Sequence, residues 1–278
     1  MAGAHSLTSA PMNTLTTSEE TLPGSSLAAA SCIRIVLVGT QHPGNIGAAA
    51  RALKTMGLSR LVLVAPEQYP ADEAFRRAAG ADDLLAEAVV VPTLAEAVSD
   101  CRFVLGCTAR SRRVALEELA PREAASRVVG QAGAGQAALV FGRERTGLSN
   151  EELQLCHASV HIPANPAYSS LNLAAAVQVL AYELRLALLA GSEPVATTAG
   201  PHDDGPATHA QMEGFFGQLG ETLDEIDFHK GRTPDSAMRK LRRLFLRAGM
   251  NEQEVRLMRG ILADAQRMLA NDAVHAFL

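Results

Sequence analysis

One apolar run near the start of this 278-residue chain constrains its fold more than any other feature. Residues Ile33 to Gly39 read IRIVLVG, a nearly continuous series of β-branched and leucine side chains. A strand of this composition is typical of a parallel sheet buried on both faces, because a strand with one solvated face alternates apolar and polar residues. The run therefore predicts that an α/β domain begins here.

Helical and extended patterns then alternate along the chain, which predicts a mostly parallel sheet with helices on both faces. A further strand ends near His161, and a loop rich in Pro, Asn and Ser leads from it into a long helix that repeats leucine and valine at helical spacing up to Leu188. The predicted helices are Ile46 to Met56, Asp72 to Ala79, Leu94 to Val98 and Arg122 to Val129, and the strands are Leu61 to Val64, Val89 to Val91, Phe103 to Gly106 and Ala138 to Phe141.

Composition divides the chain into four segments. Residues 1–31 are rich in Ser, Thr, Ala, Pro and Gly, which predicts a flexible tail, and residues 32–190 form the α/β domain. Small, polar, Pro and Gly residues at 191–208 indicate a linker. Residues 209–278 contain three helical patterns and are predicted to form a small all-helical extension.

The overall composition, with 47% hydrophobic and 20% charged residues and a net charge of -5, is that of a soluble globular protein. The four cysteines form no CxxC pair, so we expect neither a metal site nor a disulfide framework, and a reducing cytoplasm fits. The first 31 residues contain no Lys or Arg, which argues against a secretory signal. Charged and polar residues interrupt the apolar stretch near 171–190, so we expect no membrane span.

Positive charge is concentrated in the helical extension of this acidic protein. Seven cations against Asp235 give the segment from Lys230 to Arg247 a local charge of +6, which suits a phosphate backbone, although a solvated helix face remains the alternative. A second basic loop follows a strand at 105–113. The candidate RNA-binding residues are Arg110, Arg112, Arg113, Lys230, Arg239, Lys240, Arg242, Arg243 and Arg247.

Two glycine-punctuated loops follow strands of the predicted sheet. The first, GTQHPGNIGAAAR, carries Arg51 and has Gly39, Gly44 and Gly47 at a spacing that differs from GxGxxG. A nicotinamide-dependent oxidoreductase, with Glu67 as the ribose-binding acid, is therefore a weaker alternative. The second loop, FGRERTGLSN, has Ser149 placed as a helix cap, and its two arginines around Glu144 are also compatible with a structural ion-pair cluster.

Three motifs in order resemble the SPOUT methyltransferases: HPGNIGAAAR, FGRERTGLSNEEL and HIPANPAYSSLNLAAAVQVLAYEL. The resemblance is strongest to the TrmJ family of tRNA 2'-O-methyltransferases, which act on cytidine or uridine 32 of the anticodon loop, and it covers Ile33 to Ala190. AMRKLRRLF and LMRGILADA are similar to that family's C-terminal extension.

The resemblance implies a deep trefoil knot, a homodimer, a tRNA substrate and S-adenosylmethionine as the cofactor. It assigns Asn45, Glu144 and Asn172 to ordering the site and Arg51 to the ribose hydroxyl. As a hypothesis of mechanism, we expect Ser170 to accept or relay a hydrogen bond. Cys107 departs from the small or hydroxylated residue expected at its position. The implied cofactor contacts are Cys107, Thr108, Ala109, Gly142, Ile162, Ser169, Ser170 and Leu171.

The implied chemistry requires no metal, because methyl transfer from a sulfonium to a 2'-OH needs only orientation and stabilisation of the developing charge on oxygen. A guanidinium is hard to deprotonate, so Arg51 is expected to hold the hydroxyl or phosphate rather than act as a base. A non-catalytic RNA-binding protein with the same fold remains a third possibility beside the oxidoreductase.

Overall fold

The structure, a computed structural model, describes residues 22, 24–109, 116–191, 205–231 and 234–275, with side chains up to residue 270. Seven strands form one sheet in the order β3-β2-β1-β6-β4-β7-β5, and every neighbouring pair is parallel. The strands are β1 (Ile33–Val38), β2 (Arg60–Val64), β3 (Val89–Val91), β4 (Cys101–Cys107), β5 (Glu117–Leu119), β6 (Gln136–Phe141) and β7 (Ala158–Val160).

Helices cover both faces of this sheet, so the predicted α/β class is confirmed. All six residues of β1 are buried, and its side chains alternate between two apolar clusters: Ile35 and Leu37 face one, Val36 and Val38 the other. The helices of the α/β domain are α1 (Gly24–Ser31), α2 (Pro43–Met56), α3 (Asp72–Ala78), α4 (Asp82–Ala86), α5 (Leu94–Ala97), α6 (Pro121–Ala132), α7 (Asn150–Gln154) and α8 (Leu173–Ala190).

Part of the segment predicted to be a flexible tail is helical. Residues Gly24–Ser31, which were expected to be flexible, form α1, and this helix packs on α8. The Ser26 hydroxyl is buried and donates a hydrogen bond to the carbonyl oxygen of Leu188 at 2.7 Å. The rest of the predicted tail, apart from Leu22, lies outside the described residues.

Helix α8 is the central helix of one face of the sheet. Leu173, Val177, Leu180, Leu184 and Leu188 are buried in the core, as their spacing predicted. Within the described residues, α8 is also the one helix long and apolar enough to cross a membrane. Its buried face packs on α2 and α6, which accounts for its apolar composition as that of a core helix.

The extension consists of α9 (His209–Glu225), α10 (Pro234–Ala248) and α11 (Glu252–His275), close to the three predicted helices. Its own core includes Phe215, Phe216 and Leu262. The end of the predicted linker belongs to this unit, because Ala207 is buried in the same core and its N–H donates to the carbonyl oxygen of Met250. A hydrogen bond from Ala210 N–H to the Ser99 carbonyl oxygen ties the extension to the α/β domain.

Candidate functional site

Three loops converge at the carboxyl ends of β6, β4 and β7, which are neighbours in the sheet. In parallel α/β sheets this edge is where ligands bind. Gly142 follows β6, Thr108 and Ala109 follow β4, and Ile162 follows β7. The structure therefore brings the loops that carry these predicted cofactor contacts to one edge of the sheet.

Glu144 joins the loop after β6 to the start of α2. Its carboxylate accepts hydrogen bonds from the backbone N–H groups of Gln41 at 3.0 Å and His42 at 3.1 Å, and from Asn45 Nδ2 at 2.9 Å. A negative charge at this position is favoured by the positive end of the α2 dipole. The carboxylate thereby supplies a cap that His42, which makes no side-chain cap bond, does not provide.

The charged state of Glu144 is set by two opposing effects. Partial burial disfavours the carboxylate, but the hydrogen bonds from Asn45 and from the Gln41 and His42 backbone outweigh this effect and lower its pKa below the ordinary value of 4.5. Glu144 is therefore ionised at neutral pH and acts as a fixed acceptor.

Asn45 extends this hydrogen-bonded network from Glu144 to the loop before α8. Its Oδ1 accepts a hydrogen bond from Asn172 Nδ2 at 3.0 Å, and Asn172 Oδ1 in turn caps α8 by accepting from the N–H groups of Ala174 and Ala175. Glu144, Asn45 and Asn172 thus form one hydrogen-bonded chain through all three sequence motifs, although they are far apart in sequence.

The residues directly before α8 carry unused hydrogen-bonding groups. Within the part of the chain that the structure describes, Ser169, Ser170 and Leu171 make no hydrogen bond through main chain or side chain. Ser170 and Leu171 are exposed, and Ile162 and Ser169 are partly exposed. This loop therefore offers several free main-chain donors and acceptors beside apolar side chains.

The side of the site that is formed by the end of β4 carries no charge. Burial raises the pKa of the Cys107 thiol to about 12, so it is neutral and unreactive at physiological pH. The Thr108 N–H donates to the Val160 carbonyl oxygen, and its own carbonyl oxygen lies 3.2 Å from His161 Nδ1. His161 is thus engaged by backbone groups at the end of β7.

Arg51 is not on the loops that meet at this edge of the sheet. It is exposed on α2, six residues and therefore about 9 Å along the axis beyond Asn45. Its guanidinium has no hydrogen-bond or ion-pair partner among the described residues, so no hydrogen bond joins it to Ser170. The two residues predicted to be catalytic are therefore not joined by a hydrogen bond within one chain.

The glycines of the first loop serve helix packing rather than phosphate binding. A Cβ at Gly47 would lie 1.9 Å from the Ala74 carbonyl oxygen, so α2 and α3 approach too closely for any side chain there. The N-terminus of α2 is already occupied by the Glu144 carboxylate, and Glu67 accepts from Gln41 Nε2. A carboxylate at the start of α2 repels a dinucleotide phosphate, so these contacts argue against the oxidoreductase alternative.

Most of the described basic residues of the extension are available to a ligand, but Arg242 is not. Its guanidinium forms a bidentate ion pair with Glu213, at 2.6 Å for Nη1 to Oε1, and lies 4.4 Å from the ring centroid of Phe216. Arg242 therefore has a structural role, which corrects its assignment as an RNA contact. Arg110, Arg112 and Arg113 lie outside the described residues. The exposed residues are Lys230, Arg239, Lys240, Arg243 and Arg247.

The alternative ion-pair cluster within residues 143–145 is not present. Arg143 pairs with Glu152 at 3.0 Å, Glu144 points to α2, and Arg145 is exposed. Glu152 also completes the predicted capping box with Ser149. Within the described residues, no group of three or more His, Cys, Asp or Glu side chains is arranged to hold a metal ion.

Comparison with known proteins agrees with this arrangement. The model of the SpoU rRNA methylase family matches residues 32–182, and that of the C-terminal domain of the tRNA methyltransferase TrmJ matches residues 210–274. The tRNA (cytidine/uridine/adenosine-2'-O-)-methyltransferase TrmJ of Pseudomonas aeruginosa is 48% identical over 243 residues, which are 85% of this chain and 94% of that protein.

Two further relatives extend the comparison. The tRNA (cytidine/uridine-2'-O-)-methyltransferase TrmJ of Salmonella typhimurium is 49% identical over 236 residues, 84% of this chain and 96% of that protein. The crystal structure of TrmJ from Z. mobilis superimposes with a TM-score of 0.73 at 35% identity, and covers 84% of this chain and 98% of its own. The chain belongs to the TrmJ family of SpoU-type methyltransferases.

Proposed function

We propose that this protein methylates the ribose 2'-oxygen of cytidine or uridine at position 32 of the tRNA anticodon loop, with S-adenosylmethionine as the methyl donor. The names of its TrmJ relatives support the tRNA substrate, the 2'-O position and the pyrimidine nucleosides. Position 32 and the donor rest on the resemblance of the three motifs. The observation that carries the proposal is the Glu144, Asn45 and Asn172 chain, which holds the three motif loops at one edge of the sheet.

The residues at this edge fit the proposed cofactor. Adenine and a methionine chain need main-chain donors and acceptors beside apolar surface, and the free groups of Ser169, Ser170 and Leu171 supply them. Bound there, S-adenosylmethionine supplies a methyl group on a positively charged sulfur. The neutral Cys107 thiol presents no nucleophile to that methyl group. We assign the cofactor contacts to Cys107, Thr108, Ala109, Gly142, Ile162, Ser169, Ser170 and Leu171.

Arg51 and Ser170 act on the acceptor side in this proposal. The 2'-hydroxyl loses its proton as its oxygen bonds to carbon, so negative charge develops on that oxygen. Because a guanidinium keeps its proton in proteins, Arg51 stabilises and orients the oxygen. The proton leaves to solvent through a hydrogen bond that Ser170 accepts or relays.

The extension supplies the RNA-binding surface. A cavity of about 1040 Å³ separates α10 from the α/β domain, and Lys240, Arg243 and Arg247 are among its lining residues. Exposed cations of this kind bind phosphates without reading sequence and make affinity depend on salt. A tRNA substrate also supports the cytoplasmic location that the sequence predicts.

We further propose that the protein is a homodimer with a knotted chain. Helix α8 buries one face in the core and leaves Val179 and Tyr182 exposed by 36% and 49% on the other. That apolar strip is suited to a second copy of the same helix. The knot rests on the resemblance of the three motifs to the SPOUT methyltransferases.

An assay with the full chain, unmodified tRNA and labelled S-adenosylmethionine tests the function, followed by mapping of the methylated ribose. For Arg51→Ala we expect kcat to fall by about 10²- to 10³-fold while the dissociation constants for tRNA and cofactor change by less than about threefold. Lys54→Ala is the matched control, since it removes another exposed cation from the same helix.

Methylation by Arg51→Ala at a rate near that of the wild type, with tRNA bound normally, would show that the role of Arg51 is wrong. A wild-type chain that binds tRNA and cofactor but transfers no methyl group would instead establish the non-catalytic RNA-binding alternative. Transfer to a position other than 32 would retain the reaction and overturn the assigned nucleotide.

A further inference from the structure

Arg143 lies in the loop after β6, between two residues that the proposed reaction uses. Gly142 before it is a proposed cofactor contact, and Glu144 after it holds the start of α2. The reaction assigns no role to Arg143 itself, although its side chain is partly buried among the loops of the site. The contacts of this side chain therefore call for a separate explanation.

The side chain of Arg143 packs on the first residue of the loop between β1 and α2. A Cβ at Gly39 would lie 2.7 Å from Arg143 Nε and 3.0 Å from its Cγ. Gly39 has a φ of 57°, and its N–H donates to the Val64 carbonyl oxygen at 2.8 Å. The left-handed backbone and the close approach both require glycine here. Arg143 thus contacts the start of the loop whose end is held by Glu144.

The guanidinium of Arg143 is held by helix α7. Its Nη1 lies 3.0 and 3.1 Å from the two carboxylate oxygens of Glu152, whose side chain is 16% exposed. The same carboxylate accepts the Ser149 N–H at 2.7 Å as part of the α7 capping box. The main chain of Arg143 exchanges hydrogen bonds with Gly147, at 2.8 and 3.3 Å. Arg143 is therefore fixed through both its backbone and its side chain.

These contacts join the cofactor side of the site to the acceptor side. An ion pair with a partly exposed partner contributes little to overall stability, so the use of this pair lies in the position that it maintains. Misplacement of reacting groups by about 1 Å can slow a reaction by about 10²-fold. We propose that Arg143 is a positioning residue, which Glu152 and Gly39 hold so that the loop carrying Gly142 keeps a fixed place relative to α2 and Arg51. This inference rests on the proposed function and adds a residue to it.

Arg143→Met retains the aliphatic stem and removes the guanidinium. We expect kcat at saturating tRNA to fall by about tenfold, while the dissociation constants for tRNA and cofactor change by less than about threefold and the urea midpoint by less than about 0.5 M. Arg143→Lys keeps a cation that can pair with Glu152 and should retain most of kcat. An unchanged kcat in Arg143→Met would overturn the proposal, and weaker tRNA binding in that case would make Arg143 an RNA contact instead.

A double-mutant cycle tests the pair with Glu152. Glu152→Gln keeps an oxygen that can accept the Ser149 N–H and removes the charge. We expect it to lower kcat as Arg143→Met does, and the double variant to be no slower than either single variant. Additive losses would exclude the pair.

Arg145→Met is the matched control, because it removes an exposed cation from the same loop. We expect its kcat at saturating tRNA to stay within about twofold of the wild type. An equal fall in Arg145→Met and Arg143→Met would show that the charge of the loop matters rather than the contacts of Arg143, and would overturn the proposal.

Hydrogen–deuterium exchange of the unliganded protein provides a readout that does not depend on catalysis. We expect peptides covering residues 39–45 and 141–148 to exchange faster in Arg143→Met than in the wild type, with exchange in α6 unchanged. Equal exchange in both proteins would overturn the positioning role. Faster exchange in the variant, together with a wild type that transfers no methyl group, would instead show that the proposed function fails and that the contact of Arg143 does fix the loops.

Discussion

The Glu144 carboxylate accepts three hydrogen bonds that hold the first and second motif loops together. Glu144→Gln retains the shape but replaces one acceptor oxygen with a donor that faces other donors. We expect it to lower the free energy of unfolding by about 2 kcal/mol at pH 7, measured by urea denaturation. The folded-state pKa of Glu144 is lowered from 4.5. The stability that Glu144 contributes relative to Gln is therefore fully present above pH 4.5, and it is lost as the pH falls through the folded-state pKa.

Glu118→Gln is the control for this substitution, since Glu118 is exposed on β5 and the change removes the same charge. We expect it to leave stability within about 0.5 kcal/mol of the wild type. If the two variants are equally stable, Glu144 does not join the loops in the way that its contacts indicate.

At the scale of single residues, sequence reasoning identified members of the site but not their partners. The motifs marked Asn45, Glu144 and Asn172, yet no local pattern indicates that Asn45 contacts both of the others. Arg242 was assigned to RNA by counting charges, which does not reveal that Glu213 on another helix neutralises it. Such errors are expected wherever the partner of a charge is distant in sequence.

The exposed apolar strip of α8 allows a prediction about the role of this helix in the dimer. Val179→Asp places a charge in the proposed contact between two copies of α8 without touching the buried face. We expect the wild type to be dimeric and this variant to be monomeric in analytical ultracentrifugation, because an unpaired charge is costly to bury in an apolar interface. Catalysis is expected to fall with dissociation if the partner completes the site.

Leu257→Asp tests whether a charge at any exposed apolar position dissociates the dimer. Leu257 lies on α11 and is 65% exposed, so the substitution has the same chemistry in a different place. We expect this variant to remain dimeric. A Val179→Asp chain that also remains dimeric would remove α8 from the interface.

Strands and helices could be predicted where the pattern of their own residues determines them. The apolar run of β1 and the periodic helix α8 needed no knowledge of their neighbours. Three short elements were not expected from sequence: α1 is held by contacts with α8, α4 packs on α2 and α3, and β5, with the sequence EEL, exists through its pairing with β7. Their stability comes from packing and pairing that become visible only in the folded chain.

The junction between the α/β domain and the extension makes the whole molecule sensitive to acid. Burial lowers the pKa of His157, next to β7, and of His209, at the start of α9, to about 4 each. Unfolded histidine titrates near ~6.5, so the unfolded chain takes up these protons first. Stability is therefore complete above about pH 6.5 and decreases as pH falls toward about 4, by on the order of 2 kcal/mol per residue at pH 5.

Urea denaturation at pH 7.5 and pH 5 measures this dependence, and His209→Leu isolates one contributor. Charged neighbours of His209 are Glu213, whose Oε1 lies 3.7 Å from Nδ1, and Arg242, which further disfavours the proton. We expect the variant to lose less stability on acidification than the wild type does. His42→Leu, which removes an exposed histidine, serves as the control and should behave like the wild type; an equal loss in both variants would contradict the prediction.

The order of the strands has a consequence for how the protein is made. β6 lies between β1 and β4, yet it is synthesised after both. While the ribosome extends the chain from residue 107 to 141, β1 lacks a neighbour on one side and β4 lacks both of its neighbours, β6 and β7, and such open edges promote aggregation. The α/β domain therefore completes its sheet only late in translation, and a chain truncated before Gln136 leaves β1 with an open edge and leaves β4 and β5 without any of their paired strands.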